Sequence, residues 1–198
     1  MDWQHYIGEQ FHASVNNLLN AIEPLSPALA IAGDTMANAL LNDQRLFCAG
    51  LGTAQLLASR FSTTLLNRFQ HDRPSLPVFN LTGDAILLNA IITDHGINDT
   101  IAKPLHSLGQ QNDMVVLFAC DPGINGLLQA IQAAHDRDMS VILIGTHQHQ
   151  ECRSLLQSSD MDIYIDADHP ARALELLLFC SHSLCDLIEK KLFFGESA

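Results

Sequence analysis

Basic residues are scarce in this chain of 198 residues: Lys and Arg number 10 against 22 Asp and Glu, leaving a formal charge of -12. A surface of that sign does not grip phosphate backbones by releasing counterions, so direct nucleic-acid binding is disfavoured. Charge of either sign is thin, at 16% of residues, while 47% are hydrophobic and the mean hydropathy is +0.12. So little charge over so much apolar material suggests that some apolar surface is covered by a sister subunit or a partner. No apolar run reaches the roughly 18 residues of a membrane span. The start, Met1-Asp2-Trp3-Gln4-His5, has neither the basic residues nor the apolar stretch of a secretory signal, and predicts a cytosolic protein. The five cysteines (Cys48, Cys120, Cys152, Cys180, Cys185) form no CxxC and no zinc-type spacing, so reduced thiols are expected and no metal is assigned.

What is present is alternation. Apolar residues recur at helical spacing from Trp3 to Leu41, and Pro24 and Pro27 divide that stretch into two expected helices. Short apolar strands follow at Arg45 to Gly50, Leu76 to Leu81, Met114 to Ala119, Val141 to Gly145 and Ile163 to Ile165. Helical patterns separate them: Thr53 to Arg68, one starting near Asp84, Ile124 to Arg137, and a long one from about Pro170 to Leu192. Such a sequence predicts an α/β fold, a three-layer α-β-α sandwich with a five-stranded parallel sheet, two N-terminal helices and a long C-terminal helix. One domain is expected over 1–198, with a helical extension to about residue 42 and an α/β core after it. The last helix is apolar on nearly every side through Leu174, Leu176, Leu177, Leu178, Phe179 and Cys180, as expected of a helix buried in the core or between subunits.

In a parallel sheet, ligands sit beyond the carboxyl ends of the strands. Gly50-Leu51-Gly52-Thr53 reads equally as an anion-binding helix start and as a tight strand-to-helix turn. Ala119-Cys120-Asp121-Pro122-Gly123-Ile124 carries a carboxylate and a proline, which repel an anion and remove a donor; Asp121 and Pro122 read as a helix start. His147 and His149 alternate as a metal pair would, though without a third ligand they read as a solvated loop. His182, alone in the apolar last helix, reads as a satisfied core residue when taken by itself.

The segment Arg68-Phe69-Gln70-His71-Asp72-Arg73-Pro74-Ser75-Leu76-Pro77, with the glycine turn before it and Cys185-Asp186-Leu187-Ile188 after it, resembles the SIS-domain (sugar isomerase) family. The branch is that of the phosphoheptose isomerases and their relatives that associate with the replication initiator DnaA. The resemblance covers essentially the whole chain and implies a homotetramer. It also locates departures. The family's G-N-G-G-S loop falls on Gly50-Leu51-Gly52-Thr53-Ala54, and its S-T-S-G-N-S phosphate loop on Ala119 to Ile124, where no hydroxyl survives. The family's metal-binding His and catalytic Glu fall on Arg60 and Thr64, its metal-ligating Gln on Leu174, and only its last His is matched, by His182.

Aldose-ketose isomerisation needs a base, an acid and phosphate anchors, and each lost charge-assisted anchor costs roughly 1.5–3 kcal/mol. The resemblance therefore implies a cleft (Gly50, Gly52, Thr53, Ala119, Cys120, Asp121, His182) that holds a sugar phosphate weakly, without cofactor. Arg60 offers a new anion contact, whereas Asp84 and Asp99 sit where helices begin. The resemblance further implies an adaptor that meets DnaA through Leu192 and Phe193, a pair that would equally serve to seal the last helix. The alternative is a sugar-phosphate binding protein or a diverged phosphoheptose isomerase.

Overall fold

In a computed structural model of the chain, which describes residues 1–120, 124–146, 149–167 and 169–195, five parallel strands form one sheet. They are β1 (Leu46–Gly50), β2 (Val78–Asn80), β3 (Met114–Ala119), β4 (Ser140–Thr146) and β5 (Met161–Ile165), in spatial order β2-β1-β3-β4-β5. Alternate residues face opposite sides of a strand, and the strand core divides accordingly. Leu46, Cys48, Val116, Phe118, Ile142 and Ile144 join one buried cluster, while Phe47, Ala49, Val115, Leu117, Val141 and Leu143 join the other. The first face is covered by α1 (Trp3–Leu41), α2 (Ala54–Leu66) and α7 (Pro170–Glu189), the second by α4 (Asp99–Leu108), α5 (Ile124–His135) and α6 (Gln150–Leu155). This is the three-layer α/β architecture expected from the alternation.

The N-terminus departs from expectation: the two helices are one, α1, with Pro24 and Pro27 inside it. A helical proline leaves the carbonyl four residues back without its donor. Both prolines are exposed, while Leu25, Leu29, Ala32 and Met36 face the core, so the uncovered carbonyls turn toward water and the packed face runs on unbroken. Asp84 caps α3 (Ala85–Asp94) by accepting from the amides of Ile86 and Leu87 at 2.9 and 3.1 Å, and Asp99 opens α4. At the other terminus, α7 passes into a π-turn, Lys190–Phe194, where the expected helix would have run on to Leu192. α7 buries Leu176, Leu177, Cys180, Leu184, Cys185 and Ile188, yet Leu178, Phe179 and Leu187 remain exposed.

Candidate functional site at the sheet switch point

The strand order places β1 between β2 and β3, so the chain reverses its direction of winding between β1 and β3. Loops leaving neighbouring strands at such a point diverge and open a crevice. The two loops in question are the ones marked in the sequence, after Gly50 and after Ala119, and Gly50 pairs with Phe118 in register.

The glycine turn is shaped by sterics. A Cβ on Gly50 would stand 2.5 Å from the carbonyl carbon and oxygen of Ala54, and Gly52 has a φ of 58°, a region that favours glycine. The amides of Ala54, Gln55 and Leu56 donate to the carbonyls of Leu51, Gly52 and Thr53 at 3.1, 3.3 and 3.1 Å. Donors that would face an anion at a helix start are thus already spent on the turn itself, which favours the tight-turn reading. Thr53 Oγ1 lies 3.6 Å from Cys120 Sγ, joining the β1 loop to the end of the β3 strand. Asp121 and Pro122 lie outside the described residues.

Two helical turns beyond Thr53, α2 presents Arg60, whose Nε donates to Nε2 of His182 on α7 at 3.4 Å. The ring of Phe69 lies 5.7 Å from that imidazole. Burial, and then the positive charge of Arg60, hold the pKa of His182 below the usual histidine range. The ring is therefore neutral at pH 7, with its Nε2 lone pair occupied by the Arg60 donor and its remaining proton on Nδ1. A base in that state is poorly placed to accept a substrate proton. Thr64, one further turn along α2, is buried, and its hydroxyl has no hydrogen-bond partner among the described residues.

The lowered pKa has a measurable consequence. Between the folded and unfolded pKa values the unfolded chain binds the extra proton, so His182 contributes stability above its unfolded value and loses it as pH falls through that range. In an NMR titration the His182 resonances are expected to move below the usual histidine range, and Arg60→Gln should raise the His182 midpoint. A midpoint unchanged by that substitution would contradict the pairing.

His149 is not in a solvated loop: it is buried, with Nδ1 3.5 Å from Thr146 Oγ1, because the chain turns back under the end of β4 to start α6. His147 lies outside the described residues. Among the described residues, no group of three or more His, Cys, Asp or Glu side chains could hold a metal ion, and no helix is long and apolar enough to cross a membrane. The five cysteines are free thiols; burial pushes Cys48 and Cys180 up to about 12 and Cys152 to about 11, so these three are protonated packing residues.

The C-terminal pair is half-buried. Leu192 and Phe193 pack against the main core cluster, and the guanidinium of Arg73 stands 5.7 Å over the Phe193 ring. Arg73 and Glu189 form an ion pair at 3.6 Å with side chains only 1% and 2% exposed. Arg73 also donates to the carbonyls of Leu65, Thr64 and Pro74, at 2.7, 3.0 and 2.9 Å. Glu189 accepts from the amides of Gln70 and His71 at 3.4 and 3.2 Å. Neither the Arg60–His182 contact nor this ion pair was expected from the sequence. A signal for the second did exist: Glu189 follows Cys185 by four residues, on the buried face of α7.

Comparison with known proteins agrees with the geometry. Residues 10–146 match the SIS domain family. A phosphoheptose isomerase of Chromohalobacter salexigens is 35% identical over 193 residues, spanning 98% of both chains. The DnaA initiator-associating protein DiaA of Salmonella paratyphi A is 32% identical over 186 residues, spanning 94% of this chain and 95% of that one. The structure of a phosphoheptose isomerase from Francisella tularensis superposes with a TM-score of 0.89 at 28% identity, covering 96% of this chain and all of that one. The fold and these matches together make the chain a member of the SIS-domain family, with phosphoheptose isomerases and DiaA among its relatives.

Proposed function

We propose that the chain is a non-catalytic SIS-domain adaptor, one domain over 1–198, that assembles as a homotetramer in the cytoplasm and binds the replication initiator DnaA. The observation that carries this reading is the Arg60–His182 contact: the single histidine matched to the family's catalytic set is held by a cation on the nitrogen that would have to accept a proton. The glycine turn, its helix-start amides already spent on its own carbonyls, supports weak sugar-phosphate binding in the same way. Leu192 and Phe193 are the residues we assign to the initiator, with Phe194 exposed beside them. No contact with nucleic acid or membrane is part of this reading.

Self-assembly is supported by α1. Its N-terminal half is tied to α7 by polar groups: Ser14 donates to Glu175 at 2.5 Å, Asn17 to the Arg172 carbonyl at 3.2 Å, and Arg172 to the Gln10 carbonyl at 3.0 Å. The apolar residues Trp3, Ile7, Phe11, Val15, Leu18 and Ile22, at spacings of three and four, are all left exposed. A stripe of that period is what a second helix packs against. Multiplying weak partner sites by symmetry would then raise avidity. Ile7→Asp with Phe11→Asp is expected to convert a tetramer into smaller species by light scattering; an unchanged mass would count against α1 as the seam.

The alternative, a sugar-phosphate binding protein or a diverged phosphoheptose isomerase, is favoured by the 35% identity to an isomerase and by the cation of Arg60 beside His182. Calorimetry with sedoheptulose 7-phosphate separates the two. Silence at millimolar ligand is expected of the adaptor; micromolar binding, or turnover to the aldose isomer, would establish the alternative.

A further inference from the structure

Between α2 and β2 the chain runs without regular structure, and three alternate residues there each lay a side chain on the last helix or its π-turn. The Phe69 ring is 5.7 Å from His182, the His71 ring 4.8 Å from Phe194, and the Arg73 guanidinium 5.7 Å from the centre of Phe193. Contacts at every second residue are what one face of an extended strap makes. Its first contact is at His182, where α7 meets Arg60 of α2; its last two are at the C-terminal turn. Between them the buried carboxylate of Glu189 accepts from the strap's own backbone at Gln70 and His71 and pairs with Arg73.

We propose that the strap 69–73 couples the Arg60–His182 pair to the C-terminal turn, so that a change at His182 alters how Phe193 and Phe194 are seated, and a change at Phe193 is felt at His182. A buried carboxylate cannot give up its donors cheaply. A displacement of Phe69 therefore carries Glu189, and the turn that begins one residue later, along with it rather than stretching those hydrogen bonds. Coupling of this kind is reciprocal. It holds whichever molecule docks on the turn, and it stands apart from the adaptor reading.

Hydrogen exchange on the full chain tests it without any partner. His182→Gln is expected to speed amide exchange across residues 190–195 by about fivefold, with α5 unchanged as the internal reference. The double variant with Phe193→Leu should depart from the product of the two single effects by more than about twofold. In a Glu189→Gln background, where the carboxylate is gone, the effect of His182→Gln on the turn should vanish. Unchanged exchange at 190–195 in His182→Gln, multiplicative behaviour of the double variant, or an effect that persists in the Glu189→Gln background would each overturn the proposal. Should His182→Gln fail to fold, Phe69→Leu perturbs the same end of the strap and is read the same way.

Discussion

Glu189→Ala is expected to lower the unfolding free energy by about 3–5 kcal/mol, the range seen when one partner of a buried ion pair is removed. Both side chains are almost wholly enclosed, so the loss leaves the Arg73 guanidinium charged in a low-dielectric setting, still bonded to three carbonyls but without a counter-charge. It also strips the amides of Gln70 and His71 of their acceptor. The pair itself need not be strongly stabilising, because its desolvation offsets much of its attraction. Hence Arg73→Met with Glu189→Leu should recover most of the loss, and a denaturant titration at fixed protein concentration reads both numbers. If the double variant were as unstable as the single, the cost would lie in the lost backbone hydrogen bonds and not in the orphaned charge.

Phe61→Ala is expected to cost about 3–5 kcal/mol by cavity formation in the core. Phe61 is fully buried where α2 meets the sheet, its ring edge-on to Phe118 of β3 at a centroid distance of 5.8 Å. The next residue back is Arg60, so the contact that holds α2 down also aims the guanidinium at His182. Truncation should therefore loosen the site as well as the core. Alongside the fall in stability, the His182 titration midpoint is expected to rise toward that of an exposed histidine. Phe61→Leu, which keeps most of the volume, should cost less and move the midpoint less.

Much of this architecture was legible from periodicity. β3 runs over the expected residues Met114–Ala119, because a strand buried on both faces is apolar throughout and ends where the loop chemistry changes. The loops after Gly50 and Ala119 were legible as the ends of neighbouring parallel strands, and Gly50 does pair with Phe118. The illegible parts are those where tertiary context overrides a local rule. Two prolines do not break α1, because they lie on its wet face. His149 is buried although its neighbourhood is polar in sequence, because the chain folds back beneath β4. The pairing of Arg60 with His182 joins residues 122 positions apart, and no spacing rule reaches that far. The same holds for Arg73 and Glu189, although a carboxylate on the buried stripe of α7 was itself a hint that a cation awaited it.

The apolar surplus in the composition also finds its places: the exposed stripe of α1, the outward residues Leu178 and Phe179 of α7, and the turn that ends in Phe194. The first two suit self-assembly and the last suits a partner. The adaptor reading is tested most directly by the equilibrium binding of purified cognate DnaA to the full chain and to a variant carrying Leu192→Ala with Phe193→Ala. Saturable binding by the parent chain is expected, with its loss in the variant at unchanged oligomeric mass. Absence of binding by the parent chain, or equal binding by the variant, would contradict it.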